Sequence, residues 1–231
     1  MPLFITVQEA VDLIPDGATI MFGGFLGCGS AHKIIDALSK SGKGNFTMIA
    51  NDASLPNGPD GGAYYATAKL VHNRQIKHLI VSHVGTNPEV AQQVGEGFLK
   101  LDLIPQGSLA EMIRAGGAGL GGVITPTGVG TIVEENQSIV YGAQEFGDRK
   151  YLIMKPLRAD FAVISGHKID KAGNIWYKGT ARNFNPLMAT AAAVVIAEAD
   201  QVVEVGAFAP EDVVTTGALI DYVVDGGTCN G

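Results

Sequence analysis

Charge, cysteine and long apolar runs are all scarce in this 231-residue chain. Charged residues make up only 17%, and 16 Lys and Arg are outnumbered by 23 Asp and Glu, for a formal net charge of −7. Nucleic acid binding calls for a broad basic face, so that partner class is excluded. The two cysteines, Cys28 and Cys229, cannot form a disulfide framework, and their spacing matches no metal site. The chain reads as a protein of the reducing cytoplasm. No apolar stretch approaches the ~18 to 20 residues of a membrane span, so no membrane partner is expected. The start, MPLFITVQEAVDLIPDG, carries acids early and no charged region ahead of an apolar core, which argues against a secretory leader. With no repeat, linker or low-complexity tract, the sequence reads as one domain over residues 1–231.

Hydrophobic residues, at 46%, are abundant enough for a well-buried core, and the 31 glycines cluster. Apolar runs and helical periodicities alternate through the first half. ATIMFGG, NFTMIAN, KHLIVSHVG and LKLDLIPQG read as strands. Between them, AHKIIDALSKSG is helical with Ser30 as cap, AYYATAKLVHN is helical, and PEVAQQVGEG starts on a proline suited to a first helical position. SLAEMIRAGG carries the Ser108…Glu111 spacing of a capping box. Strands separated by helices at this spacing make βαβ units. In the second half, SIVYGAQEFGDRKYLIMKPL and KIDKAGNIWYKG read as hairpins, the latter turning at 172–174. DFAVIS and AVVIAEA are short buried strands around a helical PLMATAAA. The expected fold is α/β, a mainly parallel sheet flanked by helices with β-rich additions.

The stretch IMFGGFLGCGSAH sets Gly23, Gly24, Phe25, Leu26, Gly27, Cys28 and Gly29 directly behind a strand. In an open α/β sheet such a loop is where backbone amides hold anions. It lacks the lysine and Ser/Thr of a phosphate loop, and His32 stands where a third dinucleotide-binding glycine would be. A tight strand-to-helix crossover is the equally available structural reading. A second cluster, RAGGAGLGGVITPTGVGT (114–131), reads as a long loop that serves a site or covers a partner. AND (50–52), GTN (85–87) and PQG (105–107) fall at predicted strand ends. Singly each is a turn or cap; together they suggest a pocket at one sheet edge, built from Asn51, Asp52, Asn87 and Gln106. EEN (134–136) reads as a solvated turn, because adjacent glutamates on a strand face opposite ways. In ARNFNP (181–186), Asn185 is expected to cap a helix that has Pro186 first. The five histidines show neither metal-ligand spacing nor a triad context.

DGATIMFGGFLGCGSA (16–31) resembles the signature of family I CoA-transferase α subunits, in which GGF is followed by three residues, glycine, one residue and proline. Ala31 stands where the family has proline. IAND, GTNPE, PQGSLAEMIRAGGAGLGG, TPTGVGT and ARNFNP resemble the family in order and spacing, so the likeness covers nearly the whole chain. The similarity is to the acetate/butyrate–acetoacetate type and to the α half of the 3-oxoacid enzymes. It implies a ribose-phosphate isomerase-like fold. It also implies ping-pong chemistry in which a glutamate attacks the acyl-CoA thioester, forming an acyl-glutamyl anhydride and then a glutamyl-CoA thioester. That glutamate belongs to the family's β subunit, in a Ser-Glu-Asn-Gly motif absent here, where Glu135–Asn136 lacks both flanking residues. The resemblance therefore implies half an enzyme, partnered by a β subunit in an α2β2 or larger hetero-oligomer. CoA and acyl-CoA are expected as substrates, with no permanently bound cofactor. Asn51, Asp52 and Gln106 are implied to reach the acyl and CoA region, and Gly23–Gly29 to meet CoA or the partner's active-site surface. Two other readings stay open on residues alone: a sugar-phosphate-binding module of the same fold, and a non-catalytic scaffold that buries a partner's apolar face.

Overall fold

The computed structural model describes residues 1–59 and 62–227; Cys229 lies outside the described residues. In chain order the elements are β1 (Leu3–Ile5), α1 (Val7–Leu13), β2 (Thr19–Phe22), α2 (His32–Lys40), β3 (Phe46–Ile49), α3 (Ala68–His72), β4 (Ile76–Val81), α4 (Pro88–Gly95) and β5 (Lys100–Leu103). There follow α5 (Gln106–Gly117), β6 (Val123–Thr125), α6 (Ile132–Glu135), β7 (Val140–Phe146), β8 (Arg149–Met154), β9 (Ala159–Asp170), β10 (Ile175–Trp176), α7 (Asn185–Met188), β11 (Ala192–Val203) and β12 (Tyr222–Asp225).

Eight strands pair in parallel in the order β1-β12-β11-β9-β2-β3-β4-β5, and β10 adds antiparallel to β9. The chain builds outward from β2 through β3 and β4 to β5, then returns to the other side of β2 with β9. The strand order thus reverses between β2 and β9, and in open α/β sheets the crevice at such a point is the ligand site. The strands alternate across the sheet as the pleat dictates. Ile20 and Phe22 pack under α1, α2 and α3 with Ile34, Ile35, Leu38 and Leu70. Met21, Ile49 and Ile80 point the other way, toward Leu109, Met112 and Ile113 of α5 and Met188 of α7. A separate antiparallel sheet, β6-β8-β7, lays Leu152 and Met154 on that second core.

The expected α/β architecture and both hairpins are present, while several local expectations are not. Ser30 does not cap α2: the cap position is Ala31, with no side-chain bond, and the Ser30 hydroxyl donates to Gly23 O instead. Of residues 63–73 only Ala68–His72 is helical, and of PLMATAAA only the start, within Asn185–Met188. The capping box at Ser108 does not form. Pro105, extended at φ −51° and ψ 132°, turns the chain straight into α5 at Gln106, so Ser108 is already a buried residue of the first turn and Glu111 pairs with Arg114. Residues 114–131 are not one long loop: they contain the end of α5, the whole of β6 and the turn into α6. EEN is not an isolated turn either, since Glu134 and Glu135 close α6, which Thr131 caps by accepting from Val133 N.

Candidate functional site

The glycine loop leaves the carboxyl end of β2, at the point where strand order reverses. Its backbone is strapped down on every side. Gly23 N donates to Val163 O on β9 at 3.0 Å, and Gly24 N donates to Asn183 Oδ1 at 3.1 Å. Phe25 and Cys28 exchange both their amide bonds, and Leu26 N donates to the carboxylate of Asp52 at 3.0 Å. On the carbonyl side, Asn183 Nδ2 donates to Cys28 O, while Asn185 Nδ2 and Ser165 Oγ both donate to Gly29 O, all within 2.8–2.9 Å. Five of the seven amides from Gly23 to Gly29 are therefore engaged within the protein. An open cradle of amides for phosphate, the expectation from the glycine spacing, is not what this loop offers.

The glycines have a steric reason instead. A Cβ on Gly23 would stand 1.8 Å from Asn185 Oδ1, and one on Gly29, at φ +72°, would stand 2.6 Å from Ala181 O. Behind the loop remains a cavity of about 10 Å³, lined in part by Gly24, Ser30, Asp52 and Thr67, no more than a single water needs. The open side of the loop is the outer one, where Phe25 is 48% exposed.

Asn51, Asp52 and Asn87 do converge at the ends of β3 and β4, as the short polar motifs suggest, but all three are buried. Asp52 accepts from Leu26 N, from Asn51 Nδ2 at 2.7 Å and from Ser54 N at 2.7 Å. Asn51 Oδ1 accepts from Ser82 Oγ, and Asn87 ties Ala53 O to the start of α4. These residues form the floor on which the loop is fixed. Gln106 differs. It is exposed at the first position of α5 and lines an outer groove of about 260 Å³ with Phe25, Ala110, Asn183, Phe184 and Leu187.

The sequence reading missed the other wall. Asn185 has no exposed surface and does not cap α7; its amide accepts from Ser165 N and donates to Gly29 O and Ala181 O. The signal was present in ARNFNP, whose two asparagines carry more hydrogen-bonding capacity than one helix start consumes. Glu198 on β11 was missed as well. It is buried and accepts from Lys33 N and Ile34 N, supplying the N-terminal bonds that Ala31 cannot give α2. Burial pushes its carboxyl above the usual range, and the two backbone N–H groups offset only part of that.

At the far edge of the sheet, Asp102 on β5 is buried and accepts from Asn136 Nδ2, Ser138 Oγ and His78 Nε2. Burial pushes its carboxyl up, but the hydrogen bonds from Asn136 and His78 and the charge of Lys100 outweigh it, leaving it below the usual range. Glu134 is ion-paired with Lys150 and accepts from Gly130 N. Among the described residues no group of His, Cys, Asp and Glu could hold a metal ion, and no helix is long and apolar enough to cross a membrane.

Comparison with known proteins places this geometry in context. The family model described as Coenzyme A transferase matches residues 4–226. The acetoacetyl-CoA:acetate/butyrate CoA transferase alpha subunit of Clostridium acetobutylicum is 45% identical over 220 residues, 95% of this chain and 96% of that one. The acetate CoA-transferase subunit alpha of Escherichia coli (strain K12) is 43% identical over 95% of both chains. A crystal structure of an acyl-CoA transferase from E. coli O157:H7, in a thioester complex with CoA, superposes with a TM-score of 0.84 at 23% identity. It covers all of this chain and 49% of its own, so this chain spans about half of that longer protein, and the likeness speaks for the fold.

Proposed function

Because this chain belongs to the coenzyme A transferase family, we propose that it acts, as one continuous domain, as the α subunit of a short-chain acyl-CoA:carboxylate CoA-transferase. CoA and acyl-CoA are its substrates, with acetate, butyrate or acetoacetate as the acid. The observation that carries this reading is near-complete coverage at 43–45% identity by two transferase α subunits. The geometry agrees with it. A groove with an apolar lining and one exposed amide lies beside the strapped loop, at the crevice where α/β proteins bind ligands.

In this reading the partner β subunit brings the attacking glutamate across the outer face of Gly23–Gly29, in a hetero-oligomer of α2β2 or larger size. Glu134 is not that nucleophile, being held by Lys150 and Gly130 N. The role of this chain is to position. Asp52 and Asn51 hold Leu26 and so the loop, and the Gln106 amide hydrogen-bonds an acyl or CoA oxygen without repelling a carboxylate. CoA meets Phe25, Leu26 and Cys28 by their outer surface rather than by the engaged amides. The cytoplasm is the location that goes with this reading, from the cysteine usage of the sequence. A sugar-phosphate module of the same fold is the weaker reading, because two transferase α subunits match 95% of this chain at 43–45% identity.

Co-expression with a partner carrying a Ser-Glu-Asn-Gly motif, followed by exchange of CoA between butyryl-CoA and acetate, tests the proposal. The complex is expected to exchange CoA and the isolated chain to be inert. Turnover by the isolated chain that Glu135→Gln abolishes would overturn the division of labour.

A further inference from the structure

The groove beside the loop has three properties that bear on which acid it takes. The first is shape: about 260 Å³, open on one side, with Ala110 and Leu187 half-buried against the second core and Phe184 buried beside them. The second is polarity. Gln106 and Asn183 are its only polar lining residues, and the Asn183 amide is already committed to Gly24 N, Cys28 O and Thr180 O. Gln106 is thus the one polar side chain of the lining left for a ligand, and the other side chains are apolar. The third is charge: none of the six lining residues is charged.

We infer that this groove is the acyl-chain subsite, that Ala110 on its wall sets the chain length accepted, and that its uncharged lining selects monocarboxylates over dicarboxylates. The inference rests on the transferase reading above and deepens it. Gln106 and Ala110 lie four residues apart on α5, so both project from one face of that helix into the same groove. A carboxyl or thioester end beside Gln106 sends its alkyl chain along the Ala110 side. There a methyl group is the smallest side chain that still closes the helix surface, and anything longer takes up chain volume directly. A second carboxylate at the far end of a chain such as succinate meets Phe184 and Leu187 and loses its hydration with no cation of this chain in exchange.

The experiment is steady-state kinetics of the assembled two-subunit complex, with acetyl-CoA as donor and propionate, butyrate, hexanoate or succinate as acceptor. Thermal melting and assembly are checked for each variant. Ala110→Leu is expected to lower kcat/KM for butyrate and hexanoate roughly 10- to 100-fold more than for propionate. Ala110→Val does the same more weakly and serves if the leucine variant fails to assemble. Leu187→Ala works in the opposite direction, raising hexanoate relative to propionate. Succinate is expected at least about 10-fold below butyrate with the unmodified complex, the loss due to one unpaired buried charge. Folded variants that leave the acceptor ratios unchanged overturn the assignment of Ala110, and succinate turned over as well as butyrate overturns the charge argument. An unmodified complex that moves CoA to no acid refutes the transferase reading itself, which separates the two failures.

Discussion

Two glycine-rich stretches of this chain look alike on paper and differ in kind once folded. Between Gly23 and Gly29 every glycine has backbone or side chain pressed against it: Asn185 on Gly23, Ser30 on Gly24, Tyr65 on Gly27 and Ala181 on Gly29. Between residues 114 and 131 the contacts are mixed. Gly116 and Gly117 let α5 touch Leu157 and Thr190, whereas Gly119, Gly121 and Gly130 have open space around the place a Cβ would take. Glycine abundance alone therefore does not mark a site. The first stretch is fixed by side chains from four distant parts of the chain, and the second is divided among a helix end, a strand and a turn.

The sharpest way to break that contrast is one substitution in each stretch. Gly24 sits at φ +121°, where a β-branched residue is forbidden, and its Cβ would be 2.3 Å from Ser30 Oγ. Gly24→Val is expected to destabilise by ~3 kcal/mol or more and to lower kcat/KM of the complex by over about 100-fold. Gly121→Ala, with an ordinary backbone and nothing within 4 Å, is expected within about 0.5 kcal/mol of wild type and fully active. Denaturation midpoints and kinetics compare the two, and equal effects would return the loop to an ordinary crossover.

A smaller separation is expected between the side chains that hold the two stretches. Asp52→Ala strands Leu26 N, Asn51 Nδ2 and Ser54 N in the interior. It is expected to cost ~2 to 3 kcal/mol and roughly 10-fold or more in kcat. Asp52→Asn, which keeps an acceptor oxygen, is expected to recover part of the rate. Thr131→Ala removes the cap of α6 and is expected to cost ~1 kcal/mol while leaving turnover unchanged. A turnover loss for Thr131→Ala equal to that of Asp52→Ala would mean the second stretch also serves the site.

The smallest difference lies in pH dependence, because each stretch leads to a buried carboxylate shifted in the opposite direction. Asp102, which anchors Asn136 and Ser138 beyond the second stretch, lies below the usual carboxylate range. Its stabilisation is present above about pH 4 and is lost as pH falls below that. Glu198, which holds α2 just beyond the first stretch, lies above the usual range. Its contribution is complete below about pH 4 and declines as pH rises through its raised value. Melting temperatures across acidic pH are expected to show a shallower acid limb for Asp102→Asn. For Glu198→Gln the loss of stability as pH rises from about 4 is expected to shrink. Identical pH profiles for both variants would remove the distinction.

What the sequence disclosed followed from what is local. The alternation of buried strands with helices, both hairpins and the crossover loop depend on residues within about 15 positions of each other, and all are present in the fold. Ser108 misled because its spacing to Glu111 mimics a capping box that Pro105 makes unnecessary by starting α5 three residues earlier. Asn185 misled because asparagine before proline is the ordinary mark of a helix start, whereas here it is a buried bracket for Gly29. Gln106 was found as a site candidate, but its groove was not, since Phe25, Ala110 and Leu187 share no local pattern. The reversal between β2 and β9 was likewise invisible, because strand order is settled by pairings some 140 residues apart.

The insertion of β9 beside β2 has a consequence for the order in which this protein can come into being. While the chain is being synthesised, β2 to β5 can pair as soon as they emerge, but one edge of β2 stays bare until β9 follows. The loop after β2 waits longer still, because Asn183 and Asn185 close it over a sequence separation near 160 residues. Such distant closure is slow and comes after the local contacts have formed. The crevice is therefore among the last features to mature, and a nascent chain stalled before residue 183 holds most of a sheet and the floor of the crevice without the asparagines that close it.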